Sequence, residues 1–245
     1  MKKWVIYTAL FGDYDQLREP EELIDEFDFI CFTDQVQLRS NVWKIIFITG
    51  QDHSPSWLNR KYKMLPHLFL SNYEISIYMD VSIQLLKSPK QLIVQELGNN
   101  DMILAQHRLR NCVYDEAREC VIFGKSSYIN TVSQLRKYKR QGFPVSYGLF
   151  ENGVLIRRHN SPPLIRLMEE WWEEYNQGYF RDQLSLPPIL WKNDMSYPLG
   201  TYSINDGEYF KLFPHNTEKL NRWNKVKLSL RIRLRRFYYS FLSFG

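Results

Sequence analysis

The sequence predicts an α/β fold: a Rossmann-like, mixed and mainly parallel sheet flanked by helices. Two observations carry that prediction. In the first hundred residues, short apolar runs bounded by turn residues alternate with stretches of helical period, the arrangement that builds a parallel sheet. Several of the apolar runs also end in polar clusters, "TALFGDYD", "FTD", "MDVS" and "QHRLR", and open sheets of this kind bind ligands beyond the carboxyl ends of their strands. At 245 residues the chain is long enough for one domain with a full core and a tail.

The elements follow in order. "WVIYTALF" is a first strand closed by the turn "GDYD", "FDFICFTD" a second, and "WKIIFITG" a third. "HSPSWLNRKYKMLPHLFL" reads as a helix, with serines to cap it and Trp57, Leu58, Tyr62, Leu65 and Phe69 at helical spacing. Pro66 should kink or end it. "ISIYMDVSI" and "DMILAQH" are further strands. "GLFENGVLIRR" reads as an extended pair around Asn152-Gly153, a hairpin signal. "SPPLIRLMEEWWEEYNQG" is a helix capped by Ser161, with prolines in its first turn and Gly178 just past its end.

Composition narrows the function classes. At 44% hydrophobic and 24% charged, the chain is that of an ordinary soluble protein. The net charge of +5 is concentrated toward the tail, while acids and bases mix elsewhere, so no nucleic-acid face is expected. Cys31, Cys112 and Cys120 form no CxxC pair and leave one over, which points to reduced thiols in a cytosol. The run in "MKKWVIYTALFGDYD" is short and meets an acidic turn at once, so it reads as a first strand rather than a signal peptide.

Gly12 stands alone, with no G-x-G-x-x-G and no GxxxxGK[ST], which excludes the common phosphate-cradling loops. Arg60, Lys63 and His67 fall on one side of their helix, either a solvated face or one turned to a diphosphate. Asp80 ends an apolar strand, where an unpaired buried carboxylate is expensive. With Ser82 two residues on, it has the placement of a D-x-D element whose second acid is replaced by a neutral hydroxyl. Asp182 either caps a helix or stands as a base at its start. The histidines are scattered without zinc spacing, although a late one, His215, could complete a metal shell.

Together "VIYTALFGDYDQL", "DFICFTD", "SWLNRKYKMLPH", "IYMDVSI", "CVYDEA", "RRHN" and "RDQLSLP" resemble a family of glycosyltransferases long carried as a domain of unknown function. Its bacterial members occur in capsule and lipopolysaccharide clusters, and its plant members act in cell-wall polysaccharide synthesis. The resemblance implies a GT-A-like fold, a nucleotide-sugar donor with UDP as the expected nucleotide, and transfer to a hydroxyl of a surface polysaccharide or lipid-linked glycan. It implies that Thr8, Phe11 and Gly12 meet the base or ribose, with Asp34 beside the nucleoside and Arg60 and Lys63 near the diphosphate. Asp80 and Ser82 would hold the ribose or sugar. Asp182, with Gln183, would stand on the acceptor side as the catalytic base, an arrangement that favours inversion. A manganese or magnesium ion would be held by Asp80 and His215, although Ser82 is a poor ligand for a hard cation. The alternative is a non-catalytic relative that binds a glycan or a protein.

Residues 1–222 are thus expected to form the transferase domain and 223–245 a basic amphipathic tail. "KVKLSLRIRLRRFYYSFLSFG" alternates like a strand, yet Leu230, Leu234, Phe237 and Phe241 also stripe a helix. Such a helix either packs on the domain or lies on an anionic membrane surface. The expected location is the cytoplasm, peripheral to the inner face of the membrane.

Overall fold

The computed structural model describes residues 3–50, 52–179, 181–214 and 222–240. A seven-stranded sheet has the order β3-β2-β1-β4-β7-β6-β8, formed by β1 Trp4–Leu10, β2 Phe27–Thr33, β3 Lys44–Phe47, β4 Ile75–Met79, β6 Met102–Gln106, β7 Phe150–Arg157 and β8 Leu199–Gly200. The pairs β1–β2, β1–β4, β2–β3 and β6–β8 are parallel, and β7 runs antiparallel to both of its neighbours. The sheet is therefore mixed and mainly parallel, as the sequence predicts. A small second sheet pairs β5 Ile83–Leu85 with β9 Phe210–Leu212.

The central strands are apolar on both sides because both faces are covered. Val5, Tyr7 and Ala9 of β1 face one core, which is shared with α1 Pro55–Met64, α4 Pro162–Glu174 and α5 Asp182–Lys192. Ile6 and Leu10 face the other, built with Leu92, Ile93, Leu97, Tyr202 and Phe210. A third cluster joins α2 Val113–Ile122 and α3 Tyr128–Arg140 to Leu184 at the start of α5. The cysteines are buried and unbridged. Among the described residues, no helix is long and apolar enough to cross a membrane.

Ser54 caps α1, accepting from the Trp57 N–H at 3.3 Å. The helix stops at Met64 and gives way to a short 3-10 turn, Pro66–Leu68, because Pro66 has no N–H to continue it. Ser161 occupies the cap position of α4, but its side chain makes no capping bond. The apolar run from Ile75 to Leu86 is broken at Asp80, where the chain turns from β4 into β5.

The expected hairpin around Asn152-Gly153 is corrected. Residues 150–157 are one strand, and the dipeptide lies where its register against β6 slips. Glycine is needed there for close approach rather than for a turn. A Cβ on Gly153 would lie 2.9 Å from Ile83 Cδ1 and 3.0 Å from Ile204 Cγ2.

Candidate functional site

The carboxyl ends of β1, β2 and β4 converge with α1 and the first turn of α5. Gly12, just past β1, has φ +66°, a conformation natural to glycine, and a Cβ there would lie 3.0 Å from Pro55 Cγ. Its N–H donates to both carboxylate oxygens of Asp34, at 2.9 and 3.2 Å, while the Gln35 amide donates to its carbonyl at 2.6 Å. Asp34 thus shapes the loop after β1. Thr8 and Phe11, expected at the base or ribose, are buried: Thr8 is 1% exposed, and the Phe11 ring lies 5.5 Å from that of Tyr62.

The centre of the site is an ion cluster. Lys63, on α1, is only 1% exposed at its side chain, and its Nζ lies 2.6 Å from Asp182 Oδ2 and 3.5 Å from Asp80 Oδ1. Arg60, one helical turn earlier, brings Nε to 3.4 Å from the same Asp182 oxygen. Asp80 is the open member, with its side chain 35% exposed. Tyr78 donates to Asp80 Oδ1 at 2.8 Å. Asn59 ties α1 to the end of β1 by donating to the Ala9 carbonyl at 2.6 Å, and it accepts from Arg60. His67 stands apart, 3.5 Å from Glu169 of α4.

Asp182 opens α5, where a carboxylate suits the positive end of the helix. Its own carbonyl accepts from the Trp171 indole at 3.1 Å and from Asn152 at 3.3 Å. Burial by itself would raise its pKa. The charges of Arg60, Lys63 and Arg181 and the Lys63 hydrogen bond outweigh that, and hold it far below the usual carboxylate range. Asp182 thus anchors Lys63 and Arg60 from the start of α5. Gln183 spends its amide on the Phe150 carbonyl at 3.2 Å, steadying the start of β7.

Ser82 is 2% exposed, and its carbonyl accepts from the Phe213 N–H at 2.9 Å. It stands at the β5–β9 corner, one residue before β5. His215 lies outside the described residues. No three His, Cys, Asp or Glu side chains gather as a metal site among the described residues. Asp80 is the part-exposed carboxylate of the cluster.

Sequence reasoning missed Asn59, Tyr78, Asn152, Gly153 and Arg181. Tyr78 could have been found, since it lies two residues before Asp80 and so on the same face of the strand. Asn59 and Arg181 adjoin Arg60 and Asp182 in the sequence, whereas Asn152 and Gly153 meet the cluster only through the fold.

The profile of the TOD1/MUCI70, glycosyltransferase-like domain family matches residues 1–217. The probable hexosyltransferase MUCI70 of Arabidopsis thaliana is 22% identical over 214 residues, covering 76% of this chain and 36% of its own length. The chain thus spans about a third of the length of that relative. Among solved structures, mouse xyloside xylosyltransferase 1 has a TM-score of 0.39 at 12% identity, covering 77% of this chain and 80% of its own. The galactosyltransferase LgtC, solved with donor and acceptor sugar analogues, has a TM-score of 0.44 at 10% identity, covering 94% and 95%.

Proposed function

This chain belongs to the TOD1/MUCI70 glycosyltransferase-like family, and from that premise we propose that it moves a glycosyl group from a nucleoside-diphosphate sugar, UDP-linked, to a hydroxyl of a glycan. The bond from the anomeric carbon to the diphosphate oxygen breaks, a bond from that carbon to the acceptor oxygen forms, and the acceptor's proton passes to the departing diphosphate or to water. The acceptor class we favour is a surface polysaccharide or lipid-linked glycan, handled in the cytoplasm.

The observation that carries this reading is the part-exposed Asp80 at the end of the central strand β4, held from beneath by a buried lysine. Asp80 would meet the ribose or a manganese or magnesium ion. Such an ion, when bound, supplies charge neutralisation for the leaving diphosphate. Arg60, 22% exposed, supports the same work from the side of α1. Lys63 is too deep to touch a donor and acts by fixing the Asp80 carboxylate. Gly12 and the loop it forms with Asp34 stand on the β1–β2 side of Asp80.

Thermal unfolding against a panel of nucleoside diphosphates and their sugars tests this, with manganese, magnesium or chelator present. One nucleotide at a hundred times its Kd should stabilise the wild type by about 2.7 kcal/mol, and Asp80→Ala should lose that stabilisation. Stabilisation by none of the panel under any metal condition would defeat the donor site. Binding without turnover toward any glycan acceptor would instead favour a non-catalytic binder.

A further inference from the structure

The last described helix, α6 Arg222–Ser240, meets α2 and α3 through one face. Arg236 pairs with Glu119 of α2 at 2.8 Å, and Tyr239 stacks on Tyr128, the first residue of α3, at 5.3 Å. Trp223, Leu230 and Leu234 point elsewhere. Seven and eleven residues apart, they fall within about 40° of one another on the helix, nearly opposite Arg236 and Tyr239. Trp223 is 76% and Leu234 69% exposed. Lys227, Arg231 and Arg233 are exposed along the margins of this stripe, and no acidic residue occurs in the helix.

The outer face of α3 has the same chemistry. Ile129, Ser133, Arg136 and Arg140 follow at helical spacing and are exposed, Ile129 at 78%. They line a shallow groove of 680 Å³ with Tyr128 and Val132. The Tyr128–Tyr239 stack joins the two helices. A large indole and leucines standing in water beside arginines match a lipid interface, where apolar groups enter the acyl boundary and cations meet anionic headgroups. A nucleic acid would use the cations but leave the leucine stripe in water.

We propose that α6 and the outer face of α3 form one docking surface for an anionic phospholipid bilayer. This rests on the surface itself and stands whatever the donor site binds.

Co-sedimentation of the full chain with vesicles tests the proposal, comparing pure phosphatidylcholine with vesicles containing about a third phosphatidylglycerol. The wild type should pellet with the anionic vesicles, stay in solution with the neutral ones, and release as salt shortens the screening length. Leu230→Glu/Leu234→Glu should weaken binding at least tenfold, and Arg136→Glu/Arg140→Glu about tenfold, with melting temperatures unchanged because all four residues are exposed. Absence of binding to anionic vesicles overturns the proposal. So does equal binding by the leucine variant, which would leave a purely ionic surface. Wild-type binding by the α3 variant would overturn the joint surface, as would a single-stranded oligonucleotide that displaces the vesicles at equal charge.

Discussion

Replacing Lys63 by methionine keeps most of the length of the side chain and removes its charge from beneath the site. The ammonium lies 2.6 Å from Asp182 and 3.5 Å from Asp80. With an effective dielectric constant of about 20, the closer pair is worth about 6 kcal/mol of Coulomb attraction before desolvation is counted. The Asp80 pair is weaker and is screened further by the exposure of that carboxylate. Methionine also removes the desolvation penalty of the ammonium, several kcal/mol, so the net loss falls in the range for breaking a buried pair, about 3–5 kcal/mol. Urea denaturation at pH 7 should show that loss with an unchanged m value. A cycle with Asp182→Asn should give a coupling of at least about 2 kcal/mol. The pH dependence follows from the depressed pKa of Asp182. Stability from a lowered carboxylate is full above the unfolded value near 3.9 and is lost as pH falls below it. The deficit of Lys63→Met should therefore be constant from pH 8 to 5 and shrink below about pH 4. A loss under about 1 kcal/mol at pH 7, or additivity with Asp182→Asn, would refute the buried-anchor argument.

Three other outcomes are expected. Burial lowers His159 to about 4 from an ordinary 6.5, and its Nε2 lies 2.9 Å from the Leu70 carbonyl. The unfolded chain takes up that proton first, so stability should fall by about 3 kcal/mol between pH 6.5 and 4; the same urea series on His159→Gln should lose most of this slope. Gly153→Ala places a Cβ 2.9 Å from Ile83 Cδ1 and 3.4 Å from Asp80 Oδ2. It should cost about 1–3 kcal/mol and weaken nucleotide binding, both readable in thermal melts with and without nucleotide. If turnover is found, the acidic limb of kcat/KM for a glycan acceptor should lie where some group other than Asp182 titrates, and Asp182→Asn should not remove that limb.

What the sequence determined by itself is local. Apolar runs of period two and a helix stripe of period 3.6 report which side of a segment is buried, and so the first strands, α1, α4 and the position of Asp80 at a strand end were all legible. Gly12 was legible too, as a lone glycine in a strand-end turn. The tertiary structure decided everything that depends on distant partners. Lys63 and Asp182 stand 119 residues apart, and no spacing rule announces that a lysine on the polar side of a helix will be buried against the start of another. That contact, and not the residue types, makes Asp182 an anchor for Lys63. Asn152-Gly153 reads as a hairpin because the dipeptide favours tight turns, but Gly153 is fixed by Ile83 and Ile204 crowding its backbone. The tail pattern allowed strand or helix. Contact with Glu119 and Tyr128 on one face settles the helix and leaves the apolar stripe turned outward. Short-range patterns encode burial, whereas the pairing of charges across the fold is set only when the strands assemble.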